Sequence, residues 1–345
     1  MAKRTKCSNA YEHTRPVSAN GLAVHFLDVG QGDCTVVTTG AQDASLVVDC
    51  TCFRCALELL KNAGWPELTV IITHWDRDHI SGIAHLVLNY QGTIRAIYYN
   101  SFDRLDHERR TIGASQIHGS VLYGLVREAD ARGIAIHANV RPPDPVFGTP
   151  QKGATVIYPT PEELGEAVKT QKFNMASIVL EVRCGPAAVA LGADLPPSQW
   201  LQLARQGRFS PVIALKVPHH GTRVPQNFVK EIAATLGPRL AVISVGTGNQ
   251  YKHPHRRSLR QWGAVCRVLC TEVTNHCCSD AMPERAEVLA LLRQRSSPAV
   301  AAGCPCAGTV VIDMDEEGYR VYPQASDHEA VISLFGAGQC RAERG

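Results

Sequence analysis

Short apolar runs, each closed by glycine, proline or a polar cluster, recur from about residue 20 to about residue 323. "LAVHFLDVGQGDCTVVTT" holds two of them around "GQGD" and predicts strand, turn, strand. "SLVVDC" predicts another short strand. "LTVIITH" is apolar without interruption, the pattern of a strand buried on both faces. Between these, "CALELLKNAG" has helical spacing and closes on Gly64. "ISGIAHLVLNY" and "SVLYGLVREADARG" predict further helices. "SIVLEVRCGPAAVALGAD" predicts a hairpin that delivers Asp194, and "PVIALKVPHHG" a strand that ends on two histidines. "PRLAVISVG" and "RVLCTEV" continue the series, and "GTVVIDMDEEGYRVYP" predicts a last hairpin. Strands and helices alternate while several strands pair as hairpins. That combination implies an α/β (α+β) fold of four αββα layers, two sheets face to face with helices outside. We expect a tail over residues 1–20, one domain over 21–323 with a Cys-rich insertion at about 270–306, and a loose tail over 324–345.

Composition changes this picture little. The chain has 345 residues, 45% hydrophobic and 19% charged, as an ordinary globular protein has. A net charge of +3 gives no global basic field to announce nucleic acid. No apolar run reaches the roughly 18–20 residues that span a bilayer, and the basic start "MAKRTKC" is followed by no apolar segment of a secretory signal. A cytoplasmic protein is therefore expected. Thirteen cysteines, an odd number, then favour reduced thiols or metal sites over a disulfide framework. Cys270, Cys277, Cys278, Cys304 and Cys306, with His276 among them, bracket the insertion and offer a structural zinc site, against inert buried thiols. "CTCFRC" is a weaker cluster of the same kind.

The candidate chemistry lies at strand ends. His74, Asp76, Asp78 and His79 crowd into "THWDRDHISG", Asp194 ends a hairpin, His219 and His220 end a strand, and His253 and His255 follow another. A single His or Asp after a strand is ordinarily a cap or turn residue. Several together on separate loops make a dinuclear divalent-metal site, with one carboxylate holding the ions roughly 3.5–4 Å apart.

"THWDRDHISG" resembles the H-x-[HD]-x-D-H-x-x-G signature of the metallo-β-lactamase fold. With "HFLDVGQGDCTVV", "NMASIVLEV", "LGAD", "LKVPHHGT" and "HPHRRSLRQW" in this order, the chain resembles the soluble hydrolase domain of the ComEC DNA-uptake competence family over about residues 22–271. A stand-alone hydrolase unit without the membrane channel of those proteins is expected. The resemblance implies that His74 and Asp76 hold one metal, Asp78 and His79 the other, and that Asp194 bridges. One of His219 and His220 completes the second site; the other braces it or protonates a leaving group. The further histidine that the superfamily usually supplies is left open between His118, His137 and neither. Asp33, in the glycine turn, either braces that turn or orients a histidine, and Asn174 and Ser177 either brace the cleft or start a strand.

The implied activity is hydrolysis by metal-activated hydroxide, with two Zn²⁺ or Mn²⁺ ions. A phosphodiester in DNA is the preferred substrate, with Lys216 or the rim residue His253 neutralising phosphate and Arg256, Arg257 and Arg260 carrying the strand. The arginines read equally as a solvated helix face. The aspartate at position 76, where imidazole is commoner, makes that half-site harder and favours Mn²⁺ without excluding Zn²⁺. Two other readings are carried: hydrolysis of a small ester, lactone or phosphorylcholine-type substrate, and a non-catalytic regulatory module with a protein partner. A stand-alone nuclease needs restraint, which suggests a conditional effector of antiphage defence with an activating partner.

Overall fold

The computed structural model describes residues 18–100, 124–125, 127–277, 284–294 and 303–335. They build two sheets. The first contains β1 (Leu22–Phe26), β2 (Thr35–Thr39), β3 (Ala44–Val48), β4 (Glu67–Ile72), β5 (Ile94–Tyr99) and β6 (Ala135–Ala138). The second contains β7 (Pro145–Gly148), β8 (Lys152–Tyr158), β9 (Val179–Cys184), β10 (Ala187–Leu191), β11 (Ala214–Lys216), β12 (Leu240–Ile243) and β13 (Arg267–Cys270). The chain returns to the first sheet with β14 (Val310–Met314) and β15 (Tyr319–Tyr322). Strand order is β15-β14-β1-β2-β3-β4-β5-β6 in one sheet and β13-β12-β11-β10-β9-β8-β7 in the other.

Each sheet has an antiparallel half and a parallel half. β14, β1, β2 and β3 pair antiparallel, then β3 to β6 run parallel. In the second sheet β7 to β10 are antiparallel and β10 to β13 parallel. Parallel strands deliver their C-terminal ends to one edge, so the chain leaving β3, β4, β10, β11 and β12 emerges on the same rim of the molecule. The backbone N–H of Ile178, just before β9, donates to the carbonyl of Thr73 beyond β4 at 2.9 Å and ties the two sheets together there.

Three apolar layers account for the stacking. Leu22, Val24, Phe26, Val37 and Ile71 face Leu180, Val182, Val189, Leu191 and Val242 between the sheets. The alternate residues Val36, Val47, Val70 and Ile72 face outward against Ala56, Leu59 and Leu60 of the helix Phe53–Asn62 and Ile83, Leu86 and Val87 of the helix Ile83–Asn89. On the far side Ala188, Ala190, Leu215 and Ile243 meet Trp200, Phe228 and Trp262 from three helices. The period of two places successive strand residues in different layers, which is why both central strands read as unbroken apolar runs. The expected αββα layering is the observed one.

The C-terminal boundary differs from expectation. In place of a loose tail from 324, Ala325–Leu334 is a helix, and Val331, Ile332 and Phe335 are buried against the outer core. Its buried stripe begins with His328, which reads as polar in the sequence but is 3% exposed, with Nε2 3.4 Å from Cys306 Sγ.

Two consequences can be measured. A Cβ at Gly192, just beyond β10, would fall 1.9 Å from Trp200 Cζ2. Gly192→Ala therefore overpacks the outer core, and the urea midpoint should fall by the equivalent of about 1–3 kcal/mol. Burial lowers the His328 pKa to about 3. The native protein thus resists a proton that the unfolded chain accepts near its ordinary value of about 6.5. The stability this gives is present above that value and is lost as pH falls towards about 3. Denaturation midpoints between pH 7 and 4 should fall more steeply for the wild type than for His328→Leu.

Candidate metal centre

β4 ends at Ile72, and the chain then places His74 and His79 inward, 2% and 0% exposed, the first before and the second within the short helical turn Arg77–Ile80 that Asp76 begins. Backbone bonds hold this turn. Asp33 N–H donates to the Asp78 carbonyl at 2.9 Å, Cys50 N–H to the His79 carbonyl at 2.7 Å, and Gly82 N–H to the Cys50 carbonyl at 2.7 Å. Gly32 makes the first contact feasible. Its φ is +128°, and a Cβ there would sit 2.5 Å from the Asp78 carbonyl oxygen.

The second sheet supplies the opposing residues. Asp194 follows β10, buried to 3% exposure. His219 and His220 follow β11 with φ of 49° and 50°, two successive left-handed residues that are not glycine. Each such residue costs on the order of 1 kcal/mol or more, and the turn persists because neighbouring bonds hold it. His219 N–H donates to the Ala193 carbonyl at 3.0 Å.

The two oxygens of Asp194 face two different sets of side chains. Oδ1 lies 3.4 Å from His79 Nε2 and 3.6 Å from His220 Nε2, and Asp78 Oδ2 lies 3.3 Å from that same His220 nitrogen. Oδ2 lies 4.0 Å from His74 Nε2 and 3.8 Å from His219 Nε2, with Asp76 Oδ2 3.6 Å from His74 Nε2. His74 Nε2, His79 Nε2, His220 Nε2 and Asp194 Oδ1 are buried without a hydrogen-bond partner. Orphaned buried nitrogens and oxygens aimed at common points are what a metal site looks like to its own donors. The His/Asp set, imidazole with carboxylate, suits divalent transition ions.

The far edges of the rings are fixed. Asp49 Oδ2 accepts from His79 Nδ1 at 2.7 Å and from the Thr73 hydroxyl at 2.6 Å, while Oδ1 accepts from Thr73 N–H at 2.8 Å. His220 Nδ1 donates to the Ser244 carbonyl at 2.8 Å. With Nδ1 carrying the proton, Nε2 presents its lone pair towards Asp194. Asp33 approaches the same Nδ1 edges, 3.5 Å from His79 and 3.7 Å from His220, and pairs with the Lys216 ammonium. It therefore braces the histidines from behind. His219 Nδ1 has Asn174 Nδ2 at 3.5 Å.

Burial would raise the Asp194 pKa, but the His220, His79 and His74 imidazoles hold it well below the usual carboxylate range. Burial would lower His79, and Asp194, Asp49 and Asp33 raise it instead. His253 stands at the rim with its ring 5.6 Å from that of His219, held by Asn249 through two hydrogen bonds of 2.8 and 2.9 Å. Burial and the neighbouring His220 and His219 lower its pKa to about 4, so it is neutral near pH 7.

All seven expected ligands are thus brought together. Three expectations change. Lys216 was assigned to substrate phosphate, but it is 2% exposed behind the histidines and bound to Asp33, because β11 is a central strand. The imidazole beside Asp194 Oδ2 with His74 is His219; His137 sits on the edge strand β6 stacked on Tyr98, and His118 lies outside the described residues. Asp49 was missed: its only signal is the carboxylate that closes "SLVVDC". Arg256 is exposed and Arg257 half-buried at the first turn of the helix Arg256–Gly263, capped by His255. Of the cysteines proposed for structural zinc, Cys277 lies beside Thr274 and Cys306 beside His328, and Cys278 lies outside the described residues. Neither metal-capable group among the described residues contains a cysteine.

Residues 27–164 match the sequence model of the Metallo-beta-lactamase superfamily. Over that span the chain is similar to that superfamily, and its paired sheets and its His/Asp cluster, which could hold metal ions, agree with the match. It is homologous to ComE operon protein 3 of Bacillus subtilis (strain 168), 24% identical over 257 residues, which cover 69% of this chain and 30% of that protein. The chain thus matches less than a third of that relative's length. A crystal structure of the metallo-beta-lactamase fold protein YhfI from Bacillus subtilis aligns with a TM-score of 0.43 at 14% identity, over 72% of this chain and 96% of that one. Among the described residues no helix is long and apolar enough to cross a membrane.

Removing the carboxylate behind His79 tests the support layer. Asp49→Ala should weaken metal affinity by about 10–100-fold, read by competition with a chromophoric chelator. Unchanged affinity in a folded variant would assign Asp49 to the loop alone.

Proposed function

We propose that this protein is a dinuclear metal-dependent phosphodiesterase that cleaves DNA. The observation that carries the reading is the division of Asp194, one oxygen towards His79 and His220 and the other towards His74 and His219. His74, Asp76, Asp194 and His219 would hold one ion, and Asp78, His79, Asp194 and His220 the other. Two divalent cations so placed would make water a nucleophile near neutral pH and polarise the phosphoryl oxygens. Manganese or zinc fits the donors, and the carboxylate of Asp76 tilts the choice to manganese.

The protein's own groups then favour a phosphodiester. Within the ligand set three carboxylates and four neutral imidazoles would leave two dications with one positive charge in excess towards an anionic group, while the Asp49 carboxylate sits behind the His79 ring. Behind the site Asp33 and Lys216 cancel each other, and the Asp49 carboxylate lowers the excess from the far edge of His79. Asp76 is 46% exposed and lies on the open side, where substrate enters. Neutral His253 at the rim can donate a hydrogen bond to phosphate. Arg256 and Arg257 lie two and three residues from Pro254, at the start of a helix, where they can meet the strand beyond the scissile group. The conditional role in antiphage defence, with an activating partner, is an extension of this reading that rests on the need to restrain a nuclease, and the cytoplasmic placement rests on the hydropathy of the chain.

Elemental analysis of the purified protein should find two Mn²⁺ or Zn²⁺ per chain. Plasmid and single-stranded DNA should be cut, and the cutting should stop with chelator. Asp78→Ala and Asp194→Asn should each lower the rate by about 100-fold or more, since losing even an outer support costs 10–100-fold. Inert polynucleotides with hydrolysis of a small phosphodiester would overturn the DNA assignment. Metal-loaded protein inert towards both would overturn phosphodiester chemistry.

A further inference from the structure

The proposed reaction makes no use of the thiols that begin the helix Phe53–Asn62. Cys52 caps this ten-residue helix, and its sulfur accepts the backbone N–H of Cys55 at 3.4 Å. The Sγ atoms of Cys52 and Cys55 are 2.9 Å apart, and neither half-buried residue is in a disulfide. The spacing is Cys-x-x-Cys with the first sulfur at the N-terminus of a helix, where unpaired N–H groups stabilise a thiolate.

The electrostatics agree with this placement. The hydrogen bond between the two sulfurs holds the Cys52 pKa down to about 7; burial opposes it, and the N–H groups of Cys55 and Arg54 and the Arg54 charge assist. Other cysteines in the structure differ. The bond to Cys50 and burial push Cys34 well up, and burial pushes Cys266 to about 12. Cys277 is held down to about 6, chiefly by Cys270, but it is only 6% exposed. Cys52 therefore joins an ionisable sulfur to a half-buried position and a second sulfur 2.9 Å away.

We propose that Cys52 and Cys55 form a thiol–disulfide exchange site for low-molecular-weight disulfides, Cys52 attacking and Cys55 resolving. The Cys52 thiolate attacks one sulfur of RSSR, that S–S bond breaks, and RS⁻ leaves with its electron pair. Cys55 gives its proton to solvent and attacks Cys52 Sγ in the mixed disulfide, expelling the second RS⁻. The two cysteines are oxidised to one disulfide and RSSR is reduced to two thiols, which take up the two protons released. A dithiol reductant returns the pair to two thiols and is itself oxidised to a disulfide. The site is separate from hydrolysis, so its test does not depend on that activity.

The full-length protein is mixed at pH 7 with one equivalent of an aromatic disulfide whose thiolate is coloured. The wild type should release two thiolates per reagent and retain no adduct by intact mass. Tryptic cleavage after Arg54 should leave two joined peptides, and fragmentation should place the disulfide at Cys52 and Cys55 rather than at Cys7, Cys34 or Cys50. Cys55→Ser should release one thiolate and keep the aryl group on Cys52. Cys52→Ser should lose the fast phase by about tenfold or more. The wild-type peptide map stands even if a variant folds poorly. A retained adduct on the wild type, a disulfide mapped elsewhere, or a fast phase that survives in Cys52→Ser would overturn the proposal.

Discussion

An ionised aspartate buried to 3% exposure is costly unless charge and hydrogen-bond donors surround it, and Asp194 imposes that requirement on everything near it. Four imidazoles approach its two oxygens, two to each. Those rings are themselves buried or half-buried, and each brings a second nitrogen that needs a partner. Asp49 and the Ser244 carbonyl meet the demand for His79 and His220. Asp33 approaches both rings and needs a counter-charge of its own, which Lys216 supplies from the middle of a sheet. Polar groups thus extend inward in sequence from one carboxylate, and each is explained by the one before it.

The sheets make this arrangement possible because their parallel halves end on one rim. Asp49 and Thr73 leave adjacent strands β3 and β4, and Asp194, His219 and Ser244 leave adjacent strands β10, β11 and β12. Register therefore sets the depth of each residue in the site. A shift of one residue in β10 would invert its side chains, exchanging the residues that face Trp200 with those between the sheets, and would carry Asp194 out of line with its histidines.

Much of this was legible in the sequence, and the illegible parts have physical causes. The crowded "THWDRDHISG" and the doublet in "PHHG" stand out because ionisable residues seldom cluster after apolar runs. The sandwich was readable from alternating elements and hairpin turns. Asp49 was not, since one carboxylate after one strand is the commonest of turn signals, and its role exists only through a ring thirty positions away. The division of labour between His219 and His220 depends on two left-handed backbone conformations that residue type does not announce. Lys216 was misplaced for a related reason. A lysine reads as surface, and only the strand order shows β11 enclosed by β10 and β12 with the charge turned towards Asp33. The helix Ala325–Leu334 was hidden because its buried stripe opens on a histidine.

The segment from Asp49 to Cys55 joins the two reactive parts of the molecule. Its first residue faces inward and fixes His79; its next two bond to the turn that carries Asp78 and His79, through the Cys50 backbone and the Thr51 hydroxyl. Only at Cys52 does the chain turn outward to cap a helix. The hydrogen bonds along residues 49–51 oppose movement, because each buried donor released would lose its partner. Exchange chemistry at Cys52 and Cys55 therefore acts on a segment that is anchored on its inner side. The anchoring separates an outer pair of sulfurs that can change their bonding from an inner carboxylate whose position the histidines require.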